Sequence, residues 1–166
     1  LEQTLRFPQI GAMIEVPSSI YQVEEICNLV DFLSIGTNDL TQYLLAVDRN
    51  NEMVAGLFSS LHPSVLRAMD QVIRGAKRQN TPVSVCGELA GDPLGVMALM
   101  GLGIESLSMS SGSLPGAKKV IRSFSMSELR DYMEEAMNMS DAQDIRDFYT
   151  EKLNERGLGA LIRAGK

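Results

Sequence analysis

The sequence predicts an α/β fold in which a parallel sheet is covered by helices. Short apolar runs alternate with stretches that carry apolar residues at helical spacing, so each candidate strand is followed by a candidate helix. Strands connected in this way typically pair in parallel with both faces covered. The chain has 166 residues, 45% hydrophobic and 22% charged, which is enough for one domain with a substantial core. We therefore expect residues 1–166 to form a single domain.

The first half of the chain contains two strand–helix units and a long third helix. The predicted elements are a strand at 10–16, a helix at 20–30, a strand at 32–36, and helices at 40–46 and 64–78. Ser18 is a plausible N-cap for the first helix, and Thr37 or Asn38 for the second. Apolar spacing supports the first helix at Ile20, Val23, Ile26, Leu29 and Val30. Pro63 suits the first turn of the third helix.

The second half continues the alternation and ends in helices. The predicted elements are strands at 82–87 and 105–109 and helices at 93–100, 114–122, 127–138 and 142–155, before a glycine-rich tail from Gly157. Gly101 and Gly103 end the helix at 93–100. The SMSE segment at 125–128 has the pattern of a capping box for the helix that follows.

Composition and charge exclude several classes of protein. The net charge is −6 and the 15 Lys and Arg residues are scattered, which argues against a general nucleic-acid surface. No run of eighteen apolar residues and no signal peptide is present, so a cytoplasmic location is the default expectation. Two cysteines without a CxxC spacing indicate neither a disulfide framework nor a zinc knuckle. Because the chain starts at Leu1, we expect it to be part of a longer protein.

Polar side chains follow the predicted strands at their carboxyl ends. These residues are Glu15, Asn38 with Asp39, Cys86 and Ser110. Four such units fit either half of a (β/α)8 TIM barrel or a small doubly wound sheet, which periodicity alone does not separate. A barrel assembles its chemistry from several strand ends, whereas a doubly wound sheet concentrates its ligand at one switch point. The distribution of these polar residues over four strand ends favours the C-terminal half of a barrel, with extra C-terminal helices.

Glu15 and Asp39 are two carboxylates on neighbouring strand ends. Mg²⁺ usually takes one or two protein carboxylates and completes its shell with water and substrate oxygens, so this pair is a candidate metal site. The alternative is structural: Glu15 in a salt bridge across the barrel mouth and Asp39 as a cap of its helix. For these two residues alone the two interpretations have about equal weight.

The segment IGTNDLTQYLLAVDRNN, residues 35–51, also carries candidate anion ligands. Asn38 and the amides of residues 36–39 lie at a strand-to-helix turn, where they can hold a phosphate. Arg49 can bind a carboxylate or phosphate bidentately, although a single Arg in a loop is more often a surface residue.

Cys86 ends a strand and opens the loop to the next helix. A thiol with an ordinary pKa near 8.5 is largely protonated at neutral pH, so it can donate a proton as well as attack. The only histidine, His62, precedes a helix and is not an expected partner for a cysteine nucleophile. We therefore prefer a general acid to a nucleophile. We expect Cys27 to be buried in its helix and the ten methionines to fill the core.

The motifs together resemble a known family. IEVP, IGTNDLTQYLLAVDRNN, CGELAGDP and SMSSGSLPGAKKVIR closely resemble the phosphoenolpyruvate-binding barrel of enzyme I, the phosphoenolpyruvate-protein phosphotransferase of the bacterial phosphotransferase system, over residues 10–122. Pyruvate phosphate dikinase and phosphoenolpyruvate synthase are similar around Asn38, Asp39 and Cys86, but LTQYLLAVDRNN is closer to enzyme I. LHPSVLRAM and MSSGSLPG are more similar to the nitrogen-branch form than to the sugar-branch form.

The resemblance implies a role for each candidate residue. Glu15 and Asp39 would hold Mg²⁺, Asn38 and Arg49 would bind phosphoenolpyruvate, and Cys86 would protonate the enolpyruvate leaving group to give pyruvate. The phosphoryl group would pass to a histidine on a separate domain and then to a histidine-containing phosphocarrier protein. That histidine and further arginines would lie outside this chain, because the context of His62 does not match the phosphorylation motif.

Two functions of different classes remain open. The chain would be the substrate-binding and catalytic portion of a phosphotransferase, or a folding and dimerisation fragment without catalysis of its own. An exposed half barrel leaves open sheet edges and an apolar inner face, so we expect self-association, such as a homodimer that pairs two half barrels. No nucleic-acid or membrane partner is expected.

Overall fold

A computed structural model describes residues 7–163 of the chain. Its four strands form one parallel sheet in the order β1-β2-β3-β4, which confirms the predicted α/β class. The strands are β1 (Gly11–Ile14), β2 (Phe32–Gly36), β3 (Val83–Cys86) and β4 (Ser106–Ser108). The register pairs Gly36 with Cys86 and Cys86 with Ser108, so the carboxyl ends of β2, β3 and β4 lie at one level.

The helices follow the strands as the sequence predicts, with two additional short ones. They are α1 (Pro17–Ile20), α2 (Val23–Cys27), α3 (Thr37–Leu45), α4 (Pro63–Arg78), α5 (Glu88–Gly91), α6 (Pro93–Gly101), α7 (Leu114–Ile121), α8 (Met126–Met137), α9 (Ala142–Glu155) and α10 (Ala160–Arg163), with a 3-10 turn at Ala55–Leu57. The predicted capping box is present, because Ser125 and Glu128 bond reciprocally at the start of α8. Pro63 occupies the first turn of α4, as predicted.

The two faces of the sheet differ in their burial. Ile14, Leu33, Ile35 and Val85 have no exposed surface and belong to the core that the sheet forms with the helices. The alternating residues point to the other face, where Met13 is 49% exposed. Within residues 7–163 this second face has no covering layer, so the expectation that both faces are covered is wrong here. The half barrel itself stays a prediction, since the sheet is open at β1 and β4.

The uncovered face is also less apolar than we expect from an open half barrel. Because side chains alternate along a strand, each strand contributes every second residue to this face. These residues are Gly11, Met13, Phe32, Ser34, Gly36, Ser84, Cys86, Ser106 and Ser108. Glycine and serine predominate, and only Met13 and Phe32 are large and apolar.

The predicted helix at 20–30 is two short helices. The amides of Tyr21 and Gln22 bond three residues back, to Ser18 and Ser19, so a tight turn separates α1 from α2. Ser18 does not cap the first helix; its N-cap is Val16, which makes no side-chain cap. Leu29 was assigned to the apolar face but lies beyond the end of α2, and it is 81% exposed.

The core contains most of the residues that the sequence assigned to it. Cys27 is buried, and Met69, Met97 and Met133 are core residues, as predicted. Three methionines are exceptions to the prediction, because Met13 is 49%, Met53 90% and Met126 40% exposed. No helix in the part of the chain that the structure describes is long and apolar enough to cross a bilayer.

Candidate functional site

The sequence-predicted site residues meet at the carboxyl edge of the sheet. Glu15 follows β1 directly, Asn38 and Asp39 lie in the first turn of α3, and Cys86 is the last residue of β3. All four side chains are half-buried, so they are held by their surroundings and still reach solvent. Parallel pairing of three neighbouring strands explains why residues distant in sequence lie at one edge.

Two hydrogen bonds join the start of α3 to the end of β3. Thr37 Oγ1 donates to the carbonyl oxygen of Cys86 at 2.9 Å. The amide of Glu88 donates to Asn38 Oδ1 at 3.1 Å. Gly87 lies between these bonds with a φ of 107°, a conformation that glycine adopts readily and other residues rarely do. The two loops therefore form one unit that fixes Asn38 relative to Cys86.

Neither Thr37 nor Asn38 caps its own helix, so this part of the prediction is wrong. The N-cap of α3 is Gly36, and no side chain caps the helix there. The helix begins three residues earlier than expected, which places both side chains inside its first turn, from which they contact the neighbouring loop. Within residues 7–163 the first amides of α3 consequently have no capping side chain.

The two candidate metal ligands lie at the same end of α3. A methyl group added at Gly36 would be 3.0 Å from Glu15 Oε2, so the Glu15 carboxylate lies against the helix start. Asp39 is the acidic residue of the first turn of α3. Among the described residues Glu15 makes no salt bridge and Asp39 makes no cap, so neither structural alternative is observed. No group of three or more His, Cys, Asp or Glu residues within residues 7–163 has the arrangement of a metal site.

Arg49 lies in the loop after α3 and is half-buried. Its amide donates to Gln42 Oε1 at 3.4 Å, which holds the loop against the helix. Arg49 lines an open cavity of about 480 Å³ together with Asn38 and Glu88. Its guanidinium makes no salt bridge to any residue between 7 and 163. The structure therefore brings together Arg49 and Asn38, the two predicted substrate ligands.

Cys86 points to the uncovered face of the sheet. Its Sγ lies 3.7 Å from Ser34 Oγ and 3.6 Å from the carbonyl oxygen of Ile35. Cys86 also lines a second, larger cavity of about 1390 Å³ that shares Asn38 and Glu88 with the smaller one. His62 lines this cavity too, but its Nδ1 contacts the amide and hydroxyl of Ser64 at the start of α4. His62 is thus a helix cap, in line with the sequence prediction that it precedes a helix.

Three residues of the site were not found from the sequence: Ser34, Thr37 and Gly87. Each contacts Cys86 or Asn38 through hydrogen bonds or close packing. Thr37 was recognised as a polar residue at the strand end, but we interpreted it as an N-cap of its own helix rather than as a contact of Cys86. Ser110, the fourth strand-end residue, is exposed, and its Oγ contacts Ser113 Oγ at 3.2 Å.

One carboxylate in the larger cavity has a perturbed pKa. Burial raises the pKa of Asp92, while its hydrogen bond from the Leu94 amide and the charge of Arg146 act in the opposite direction. Asp92 caps α6, and Arg146 Nη2 lies 3.8 Å from its Oδ2. Both residues line the larger cavity, and the pair connects α9 to the start of α6.

A carboxylate, an uncapped helix start and a thiol at adjacent strand ends form a candidate ligand site at the carboxyl edge of the sheet of this α/β protein. Residues 3–126 match the family model of the PEP-utilising enzyme, PEP-binding domain, in which PEP stands for phosphoenolpyruvate. The chain belongs to this family. The family match confirms the resemblance to phosphoenolpyruvate-utilising enzymes that the motifs indicate.

Relatives with high identity cover most of the chain. It is 42% identical over 158 residues to a protein of Escherichia coli K12 named "Phosphoenolpyruvate-dependent phosphotransferase system", covering 95% of this chain and 21% of that protein. It is 41% identical over 150 residues to the "Phosphoenolpyruvate-protein phosphotransferase" of Haemophilus influenzae, covering 90% and 26%. It is 45% identical over 137 residues to a "Multiphosphoryl transfer protein" of Xanthomonas campestris, covering 82% and 16%. The chain thus spans about a fifth of the length of these relatives.

Proposed function

We propose that this chain is the phosphoenolpyruvate-binding and catalytic portion of a phosphoenolpyruvate-protein phosphotransferase. The observation that carries the proposal is the pair of hydrogen bonds from Thr37 to Cys86 and from Glu88 to Asn38. They fix a candidate substrate ligand and a candidate proton donor at one cavity, beside a carboxylate on the next strand. The names of the relatives are consistent with this chemistry.

Asn38, Arg49 and the first amides of α3 bind the anionic substrate in this proposal. Asn38 and Arg49 line the same cavity, and Arg49 has no salt-bridge partner within residues 7–163. The uncapped amides at the start of α3 carry the positive end of the helix dipole, which favours a phosphate or carboxylate. A guanidinium can bind such a group bidentately.

Glu15 and Asp39 hold Mg²⁺ in this proposal. The donor set suits the ion, because Mg²⁺ takes one or two carboxylates and otherwise binds water and substrate oxygens, so a third protein ligand is not required. Both carboxylates lie at the start of α3 and are half-buried. An Mg²⁺ ion held by these two carboxylates would supply positive charge to offset the charge that develops on the departing phosphoryl group.

Cys86 protonates the leaving group. As the P–O bond breaks, its electron pair stays on the enolate oxygen; this pair then forms the carbonyl, and the C=C pair takes the proton from Cys86 Sγ to give the methyl group of pyruvate. The S–H electrons stay on sulfur as a thiolate, which solvent reprotonates. This is general acid catalysis at carbon. The exposure of Cys86 towards the cavity supports the role.

The remaining parts of the reaction belong to the longer protein. We propose that the sheet is the C-terminal half of a (β/α)8 barrel, which explains its uncovered face and its open edges. The phosphoryl acceptor is a histidine on another domain, which then feeds a histidine-containing phosphocarrier protein in the cytoplasm. The open sheet edges at β1 and β4 support homodimerisation of the isolated chain, and sedimentation as a well-folded monomer would contradict that part.

The test of the catalytic proposal is Cys86→Ala in the longer protein. We expect pyruvate release to be abolished while Mg²⁺-dependent phosphoenolpyruvate binding, measured by titration calorimetry, is largely retained. Equal loss of both would mean that Cys86 is structural. Ser110→Ala is a matched control at the end of the next strand, and it should change neither measurement. No binding to the isolated chain at millimolar phosphoenolpyruvate would favour the alternative of a folding and dimerisation fragment.

A further inference from the structure

The side-chain hydroxyl of Ser34 makes a hydrogen bond with the Cys86 thiol. Ser34 and Cys86 lie on adjacent strands and on the same face of the sheet, because Gly36 pairs with Cys86 and Ser34 is two residues before Gly36. Ser34 Oγ donates towards Cys86 Sγ at 3.7 Å, and the thiol in turn donates to the Ile35 carbonyl at 3.6 Å. Both side chains are half-buried.

We propose that Ser34 is a positioning residue for the general acid: its hydroxyl orients the Cys86 thiol and stabilises the thiolate that remains after proton delivery. This inference rests on the function proposed above and adds a residue to it. The Ser34 hydroxyl lies within donating distance of the sulfur, and the sulfur lies within donating distance of the Ile35 carbonyl oxygen, so the thiol has one donor and one acceptor.

The hydrogen bonds change strength during the proton step. When the S–H bond breaks and the proton forms the new C–H bond of pyruvate, the Ile35 carbonyl loses its donor and the sulfur becomes an anion. The Ser34 proton stays on its oxygen and becomes a donor to a charged acceptor, which is the stronger kind of hydrogen bond. No proton leaves Ser34, and solvent restores the thiol.

Charged groups around Cys86 come from three neighbouring elements. They are Glu15 after β1, Asp39 in α3 and Glu88 in α5. All three are acidic, whereas the Ser34 hydroxyl on β2 is a neutral donor that contacts the sulfur directly. A substitution at Ser34 leaves these charges unchanged, so a difference between variants reports the hydroxyl.

The test measures the alkylation rate of Cys86 in the 166-residue chain with iodoacetamide at one pH, read by peptide mass spectrometry. The thiolate is the reactive form, and because Ser34→Ala removes a hydrogen bond to the charged sulfur, we expect it to slow alkylation about tenfold. Ser34→Thr retains a hydroxyl and should react at a rate close to that of the parent chain. Ser84→Ala is the matched control, because Ser84 is on the same face of β3 and its hydroxyl donates to the Leu33 carbonyl instead.

Cys27 is an internal monitor of the fold, since it is buried in α2 and should stay unmodified in every variant. An unchanged or faster rate in Ser34→Ala would overturn the proposal, as would an equal slowing in Ser84→Ala. Modification of Cys27 in Ser34→Ala alone would also overturn it, because Ser34 would then act in the fold. The alkylation assay contains no phosphoenolpyruvate, so a negative result would count against the role of Ser34 alone. The proposed function is tested separately, by pyruvate release and substrate binding in Cys86→Ala.

Discussion

Gly87 provides the sharpest test of the linkage between the two loops of the site. Its φ of 107° and ψ of −177° lie in a region that is essentially restricted to glycine. A Cβ at this position would overlap Thr37 Oγ1 and lie 3.0 Å from Asn38 Oδ1. Gly87→Ala therefore strains the backbone and forces apart the residues that hold Cys86 and Asn38 together.

The expected loss of stability combines two contributions. Backbone strain in this region costs on the order of 2 kcal/mol. Displacement of Thr37, which is fully buried, leaves its hydroxyl and the Cys86 carbonyl unpaired, at about 1–3 kcal/mol. We expect Gly87→Ala to lower the free energy of unfolding by about 4 kcal/mol, which corresponds to a fall of roughly 8–16 °C in Tm for a chain of this size.

Urea unfolding of the 166-residue chain, followed by circular dichroism, measures this loss. Gly103→Ala is the matched control: Gly103 has a φ of 87°, but an added Cβ meets no atom within 4 Å. Gly103→Ala should cost only about 1–2 kcal/mol, from its positive φ alone. Thr37→Ala removes the overlapping oxygen, so its combination with Gly87→Ala should cost less than the sum of the two single losses. A Gly87→Ala variant no less stable than Gly103→Ala, or strict additivity with Thr37→Ala, would refute the reasoning.

Two further predictions concern the C-terminal helices. Hydrogen bonds from the Ser125 amide and hydroxyl, with the charge of Arg156, hold the pKa of Glu128 below its ordinary value of 4.5. The Glu128 carboxylate therefore stabilises the fold at pH values above its ordinary pKa of 4.5, and this stabilisation is lost as the pH falls through the lower pKa of the folded state. In the parent chain the urea midpoint should fall between about pH 5 and pH 3, and Glu128→Gln should make this fall smaller. Glu135→Gln, on the exposed face of α8, should leave the fall unchanged. An equal fall in Glu128→Gln and the parent chain would contradict the prediction. Tyr149 is fully buried, and its hydroxyl has no partner among residues 7–163. Tyr149→Phe should leave the free energy of unfolding unchanged or raise it by up to about 1 kcal/mol in the same urea assay. A decrease in the free energy of unfolding by more than about 1 kcal/mol would mean that the hydroxyl makes a hydrogen bond in solution.

Local signals predicted the elements that depend on local interactions. The Ser125–Glu128 capping box and the Pro63 helix start were found because each requires only a few consecutive residues. The break at Tyr21 and Gln22 was missed because the apolar spacing continues across it, and a turn with bonds three residues back keeps Ile20 and Val23 both buried. Burial of a residue such as Leu29 depends on where the helix ends in three dimensions, which spacing alone does not determine.

The polar character of the uncovered sheet face was visible in the sequence but was not recognised. Strands β2, β3 and β4 read FLSIG, VSVC and SLS, so serine or cysteine alternates with apolar residues. Such alternation is typical of a sheet with one face in the core and one outside it. The expectation of two covered faces came from the strand–helix order, and for these strands the alternation is the better guide.

Asn38 shows why a list of candidate site residues does not give the arrangement of the site. The capping rule and the substrate role both use its side chain, and from sequence the two are compatible. In the structure Asn38 lies inside the first turn of α3 rather than at its N-cap, and its Oδ1 accepts the Glu88 amide instead of an amide of α3. This bond fixes the orientation of the side-chain amide: the oxygen is used by the protein, and the Nδ2 group is left as a donor. A donor is what an anionic substrate requires, whereas a free Oδ1 would repel it. The same contact that overturns the capping prediction therefore favours the role of Asn38 as a ligand for phosphoenolpyruvate, and it makes that role dependent on the backbone of β3 and α5 as well as on its own helix.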